Sequence, residues 1–186
     1  VRSYGGEAVI IGDSFDDARQ HGLKLAQERG LTLIHPFDDA AVMAGQGTIG
    51  LEMLTQQPQL DTLVVAIGGG GLISGVATAA RALKPGIEIV GVQTERFPAV
   101  WCAVHGQARE VAQATIADGI GVKSPGALTL PLIRERVKDV LLVGEDDIEQ
   151  SILMLLEIEK TVVEGAGAVG LAAVLKHRER FAGRQV

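Results

Sequence analysis

Four consecutive glycines, Gly68 to Gly71, stand between an apolar run and an alanine-rich one in "VVAIGGGGLISGVATAA". Ordering four glycines at the end of a strand is entropically expensive. A strand, a glycine turn and a helix start aim several backbone N–H groups and a positive dipole end at one point. An anion, most often a phosphate, fits there, because glycine lets it reach the backbone. A nucleotide P-loop would need Lys and Ser/Thr after the second of two spaced glycines, and Val76-Ala77 stands there instead. A dinucleotide fingerprint would need G-x-G-x-x-G in this turn, but Gly69 and Gly71 are followed by Ser74. Glu95, near the end of the next strand, would serve as an acidic ribose ligand, which keeps a dinucleotide alternative open.

Other candidates are weaker. Gly165, Gly167 and Gly170 in "EGAGAVG" spell a literal G-x-G-x-x-G. A long helical pattern precedes them, so they read as small residues for close backbone approach. Cys102 and His105 have a C-x-x-H spacing without further partners, too little for zinc. His21, His35 and His177 read as structural or solvated. Asp38-Asp39 precedes a helix, and capping explains the pair more simply than acid–base chemistry.

The elements that position these residues alternate. "GGEAVIIGDSFDDARQHGLKLAQERG" reads as a strand at Ala8 to Ile11, a turn, a helix and a stop at Gly30. Ser14 and Asp17 have capping-box spacing, and Phe15, Ala18, Gly22 and Ala26 share one helix face. "LTLIHPF" reads as a second strand. "AAVMAGQGTIGLEMLTQQP" reads as a helix whose three glycines imply close packing. "LDTLVVAI" is a buried strand, "LISGVATAARALKPG" a helix and "IEIVGVQTE" another buried strand. After a less regular middle, "DVLLV" gives a strand, "EDDIEQSILMLLEIEKTVV" an amphipathic helix and "GAGAVGLAAVLKHRERF" a small-residue helix. Short apolar strands alternating with helices imply an α/β fold, with a parallel sheet covered by helices on both faces.

Composition agrees. The 186 residues are 47% hydrophobic, include 24 glycines and carry a net charge of -6. An acidic chain argues against nucleic acid or an anionic membrane as partner. The one cysteine precludes an internal disulfide and fits a reducing cytoplasm. No signal peptide is expected, and the glycines of the most apolar stretch speak against a membrane span. A start on Val1 is expected of a fragment or processed product.

Taken together, "GGEAVIIGDSFDDA", "IHPFDDAAVMAGQGTIGLEML", "VVAIGGGGLISGVATAARALKPGIEIVGVQTE", "TIADGIGVKSPG" and "VVEGAGAVGLAAVL" resemble the second half of a threonine dehydratase. This is the threonine ammonia-lyase and serine racemase branch of fold-type II pyridoxal-phosphate enzymes, and the likeness covers nearly the whole chain. It implies a tryptophan-synthase β-like large domain over about residues 41–186 and part of the small domain over 1–40. It implies pyridoxal 5'-phosphate as cofactor, its phosphate held by Gly68, Gly69, Gly70, Gly71 and Leu72. Such charge-assisted bonds are worth roughly 1.5–3 kcal/mol each. Asp118, Gly119 and Ile120 resemble the segment beside the cofactor ring, and Glu164 the acidic residue at the ring edge.

The implied activity is conversion of L-threonine, and of L-serine, to the 2-oxo acid and ammonia by a cytoplasmic homo-oligomer whose partner is a small amino-acid substrate. Serine racemase or another β-elimination enzyme is the alternative within the fold. A non-catalytic cofactor-binding or regulatory fragment is the alternative of another class. The family's Schiff-base lysine lies in a Ser-x-Lys-x-Arg stretch and its substrate-carboxylate loop in Ser-x-x-Asn, both upstream in the family. Its ring-nitrogen serine lies in a Ser-Gly-Gly-Asn stretch beyond the position of Val186. None of these stretches occurs here, so no catalytic residue is assigned. Lys24, Lys84, Lys123, Lys138, Lys160 and Lys176 all lie outside that context, and the chain alone is expected to be inactive. Relatives that bind a divalent cation carry an acidic residue where Gln93 stands; as a neutral, weaker oxygen ligand it argues against a metal.

Overall fold

The computed structural model describes residues 1–13 and 15–186, the side chains of Phe15 and Asp16 excepted. It divides into two compact units, Val1–His35 and Pro36–Val186.

The first unit holds helix α1, Phe15–Arg29. Gly30 ends it with φ of 64°, a left-handed conformation that a side chain disfavours, and the N–H of Leu31 returns to the carbonyl of Ala26 at 2.9 Å. Ser14, expected to help cap this helix, lies outside the described residues. The strands expected at Ala8 to Ile11 and over "LTLIHPF" do not form. Apolar alternation marks a segment able to be a strand, but a strand exists only through a ladder. Among the described residues these segments pair with no other strand.

The second unit is built on three parallel strands in the order β1-β2-β3: β1 Thr62–Ala66, β2 Glu88–Thr94 and β3 Asp139–Val143. Leu63 lies opposite Ile89, and Val92 opposite Leu141. Parallel neighbours require crossovers, and the helices supply them. They are α2 Ala40–Gln56, α3 Gly71–Leu83, α4 Ala99–His105, α5 Thr129–Arg136, α6 Glu145–Glu157, α7 Gly165–Lys176 and α8 Arg178–Phe181. One core joins Leu63, Ile89 and Val140 to Ile73, Val76, Ala77, Val100 and Ile133 of α3, α4 and α5. The other joins Val92 and Val143 to Ile148 of α6 and to Ala168, Val169 and Ala172 of α7. Alternate strand residues thus feed opposite faces, each covered by helices. Among the described residues no helix is long and apolar enough to cross a membrane.

Two of the three glycines in α2 have the close neighbour that their presence implied. A methyl group on Gly47 would lie 3.2 Å from the carbonyl oxygen of Gly75, and one on Gly50 would lie 3.0 Å from that of Val76. Gly45 faces open space. The closest approach belongs to Gly75 on α3, whose methyl would collide with the carbonyl oxygen of Met43. The amphipathic pattern after β3 outruns its helix, which stops at Glu157. The run after Glu164 divides into α7 and α8, separated by His177.

Candidate active site

Three segments far apart in sequence meet beyond the carboxyl ends of the strands, where open parallel sheets bind their ligands. The first is the turn from β1 into α3. A methyl on Gly68 would lie 3.3 Å from the Cα of Ile120 and 3.7 Å from the carbonyl oxygen of Gly119, so the second segment, the 3-10 turn Asp118–Ile120, lies against the glycine turn. A methyl on Gly119 would in turn lie 3.2 Å from Oε1 of Glu164 and 3.1 Å from Cβ of Ala166. That places the third segment, the start of α7, on the far side of the 3-10 turn. Gly165 permits the approach: a side chain there would strike the carbonyl oxygen of Ile116.

Within the glycine turn, Gly70 has φ of 101° and precedes the first residue of α3. Among the described residues, the N–H groups of Gly68, Gly69, Gly70, Gly71 and Leu72 donate to no protein acceptor. Five such donors at the positive end of a 13-residue helix suit an anion. Packing also demands bare backbone here. A side chain on Gly69 or Gly71 would overlap Phe37, and one on Gly70 would come within 2.9 Å of Cβ of Thr129 and 2.8 Å of Cδ1 of Ile133. The glycines therefore have two reasons to be glycine, and the unpartnered donors are what favours an anion over packing alone.

Carbonyls of the turn are fixed. The oxygen of Gly69 accepts from Oγ1 of Thr129 at 2.6 Å and from the N–H of Gly126 at 3.1 Å. That of Gly70 accepts from the N–H of Ser74 at 3.0 Å. Behind the turn, buried Gln93 donates from Nε2 to the carbonyl of Ile67 at 3.3 Å and accepts the N–H of Trp101 at 2.9 Å. Its polar atoms thus serve the joint between β1 and the glycines.

Glu145 holds the segment leading to the 3-10 turn. Its Oε1 accepts from Thr115 at 2.7 Å and Thr94 at 3.2 Å, and its Oε2 accepts the N–H of Ile116 at 2.8 Å. Burial by itself raises its pKa, but the hydrogen bonds from Thr115, Ile116 and Thr94 and the charge of Arg96 together hold it below the ordinary glutamate value. Glu164 is exposed at the N-cap position of α7 and caps no N–H with its side chain, which leaves its carboxylate beside Gly119.

Asp38 and Asp39 both cap helices, but different ones. Asp39 caps α2, accepting the N–H groups of Ala41 and Val42. Asp38 reaches across to the start of α5. The lysines lie elsewhere: Lys84 donates to the carbonyls of Pro58 and Leu60, Lys24 pairs with Glu28, and Lys176 pairs with Asp147 and Glu95. Lys160 bonds the carbonyl of Glu157, Lys123 is exposed after the 3-10 turn, and Lys138 follows α5. His105 stacks on Trp101 with ring centroids 4.5 Å apart, and its Nε2 lies 3.4 Å from Asp139. Sequence reasoning missed Phe37, Asp38 and Thr129 as parts of this site. Their only signal was the proximity of "HPFDD" and "KSPGALT" to segments that carry chemistry.

A family model described as pyridoxal-phosphate dependent enzyme matches residues 1–186. The L-threonine ammonia-lyase of Geobacter sulfurreducens is 49% identical over 180 residues, which are 96% of this chain and 45% of that protein. That of Thermotoga maritima is 45% identical over 177 residues, 94% of this chain and 44% of that protein. The chain spans about half the length of these curated relatives. Among solved structures, a bacterial-strain threonine deaminase designated T.th. superposes with a TM-score of 0.89 at 39% identity, covering 96% of this chain and 60% of that one. Maize serine racemase superposes with a TM-score of 0.90 at 36% identity, covering 99% and 58%.

Proposed function

The chain belongs to the pyridoxal-phosphate dependent enzyme family, and from that premise we propose that it forms the phosphate-holding half of a threonine ammonia-lyase. The protein would convert L-threonine to 2-oxobutanoate and ammonia, and L-serine to pyruvate and ammonia. The observation that carries the proposal is the set of five unpartnered N–H groups from Gly68 to Leu72 at the start of α3. It is supported by relatives at 45–49% identity that bear this name.

These residues fit the cofactor. Its phosphate, a dianion at neutral pH, would be held by the five N–H groups and the dipole of α3. Gly119 offers a surface without a side chain between that cup and Glu164, wide enough for a flat ring to lie against. Glu164 would sit at the ring edge and bias the charge there without bonding to the substrate. When bound, the cofactor supplies an electron sink that makes the substrate's α-hydrogen acidic. Residues 1–40 are read as part of a small domain and 41–186 as most of a large one, a reading supported by the compact unit that begins at Pro36. A cytoplasmic homo-oligomer is part of the same proposal.

The test is product analysis of the complete protein loaded with pyridoxal phosphate. Release of 2-oxobutanoate and ammonia in equal amounts from L-threonine is expected. Interconversion of L- and D-serine without pyruvate would replace the proposal with the racemase alternative, which the maize neighbour favours. Bound cofactor with neither reaction would leave the non-catalytic reading.

A further inference from the structure

We propose that Asp38 is a positioning residue for the cofactor phosphate, acting through Thr129 on the peptide that joins Gly69 to Gly70. This rests on the phosphate cup proposed above.

The carboxylate of Asp38 accepts three backbone N–H groups from a distant part of the chain. Oδ2 takes that of Ala127 at 2.9 Å, and Oδ1 takes those of Leu128 at 2.8 Å and Thr129 at 3.2 Å. Helix α5 has Leu128 at its own cap position, where no side chain can accept a hydrogen bond. Asp38 caps it instead, and its negative charge favours the helix start. The cap of α2 falls to the neighbouring Asp39.

Held this way, the start of α5 presents two donors to one oxygen. Thr129 Oγ1 and the N–H of Gly126 both bond the carbonyl of Gly69. A peptide unit is planar and trans, so its C=O and the following N–H point in opposite directions. Fixing the oxygen of Gly69 therefore fixes the direction of the Gly70 N–H, one of the five donors of the cup. The Ser74 N–H on the oxygen of Gly70 sets the next peptide by the same rule. Thr129 also fills the space where Gly70 would carry a side chain. At φ of 101° Gly70 has many conformations open to it, so an outside restraint on this peptide matters.

The experiment compares pyridoxal 5'-phosphate with pyridoxal in the complete protein stripped of cofactor. Both ligands carry the same ring and aldehyde, so the ratio of their dissociation constants isolates the phosphate contacts. Wild type should favour the phosphate ester strongly. Asp38→Asn and Thr129→Val should each lower that preference by about tenfold while leaving pyridoxal affinity unchanged. Thr129→Ser, which keeps the hydroxyl, should restore the preference. Thr129→Val tests the same chain of contacts should Asp38→Asn fail to fold. If the variants weaken both ligands equally, or leave the preference intact, the positioning role is wrong and the cup stands. If wild type itself shows no preference, the cup falls and takes this inference with it.

Discussion

Thr115 donates its hydroxyl hydrogen to Oε1 of Glu145 at 2.7 Å, joining the segment before the 3-10 turn to the first residue of α6, 30 residues later. The other oxygen of Glu145 takes the N–H of Ile116. Glu145→Ala removes a charged acceptor and should lower stability by about 2 kcal/mol at neutral pH. The folded pKa of Glu145 is depressed, so its contribution is complete above the unfolded value and is lost as pH falls through the folded one. Urea midpoints of wild type and variant should therefore differ clearly at about pH 7 and converge at about pH 3. An unchanged gap at the lower pH would show that the hydrogen bonds do not need the carboxylate.

The helix pair α2 and α3 supplies a contrast between two glycines. Gly75→Ala places a methyl on the Met43 carbonyl, so α3 must withdraw from α2 and more than about 3 kcal/mol should be lost. Gly45→Ala meets nothing within 4 Å and should gain about 0.5–1 kcal/mol from helix propensity alone. Thermal denaturation of the two variants should shift in opposite directions.

Lys176 lies 2.8 Å from Oδ2 of Asp147 and 3.1 Å from Oε1 of Glu95, and Asp147 Oδ2 also accepts the Gly144 N–H at the start of α6. Burial by itself lowers the pKa of Lys176, yet its hydrogen bonds to Asp147 and Glu95 raise it overall. Its contribution is thus present below the unfolded pKa and lost as pH rises through the folded one. All three side chains are partly exposed, so Lys176→Met should lose only about 1 kcal/mol, shrinking with added salt. Denaturation at low and high ionic strength measures this.

Glu164→Gln keeps the shape beside Gly119 and removes the charge. Turnover of L-threonine by the complete protein should fall about tenfold, while the preference for pyridoxal phosphate over pyridoxal stays as in wild type. Loss of that preference would make Glu164 part of the phosphate site.

Patterns within one element are the legible part of this molecule. The run "VVAIGGGGLISG" announces a strand, a bare turn and a helix, because each depends on residues a few positions apart. The glycines of "VMAGQGTIG" announce a close helix neighbour, although only Gly47 and Gly50 have one. The apolar segments near Val9 and Leu33 mislead, since a strand needs a ladder partner that its own residues do not name. Asp38 misleads in another way. Local spacing makes it a cap for the helix that follows, whereas its three donors lie at Ala127, Leu128 and Thr129. Gln93 stands where a metal ligand would, but what it does depends on Ile67 and Trp101, brought beside it by the sheet and by α4.

The bond from Asp38 to the N–H of Thr129 closes a loop of 91 residues, and that has a consequence for timing during synthesis. Such a closure carries an entropic cost of about 4 kcal/mol, so it follows the local elements rather than preceding them. Gly69 leaves the ribosome 60 residues before Thr129. At ~5–20 residues per second, a nascent chain spends about 3–12 s with its glycine turn made and the carbonyl of Gly69 still unheld. During that interval the turn is a poor trap for any phosphate in the cell. Capture of the cofactor therefore marks the arrival of α5, and a pulse of labelled pyridoxal phosphate would read how far translation has gone.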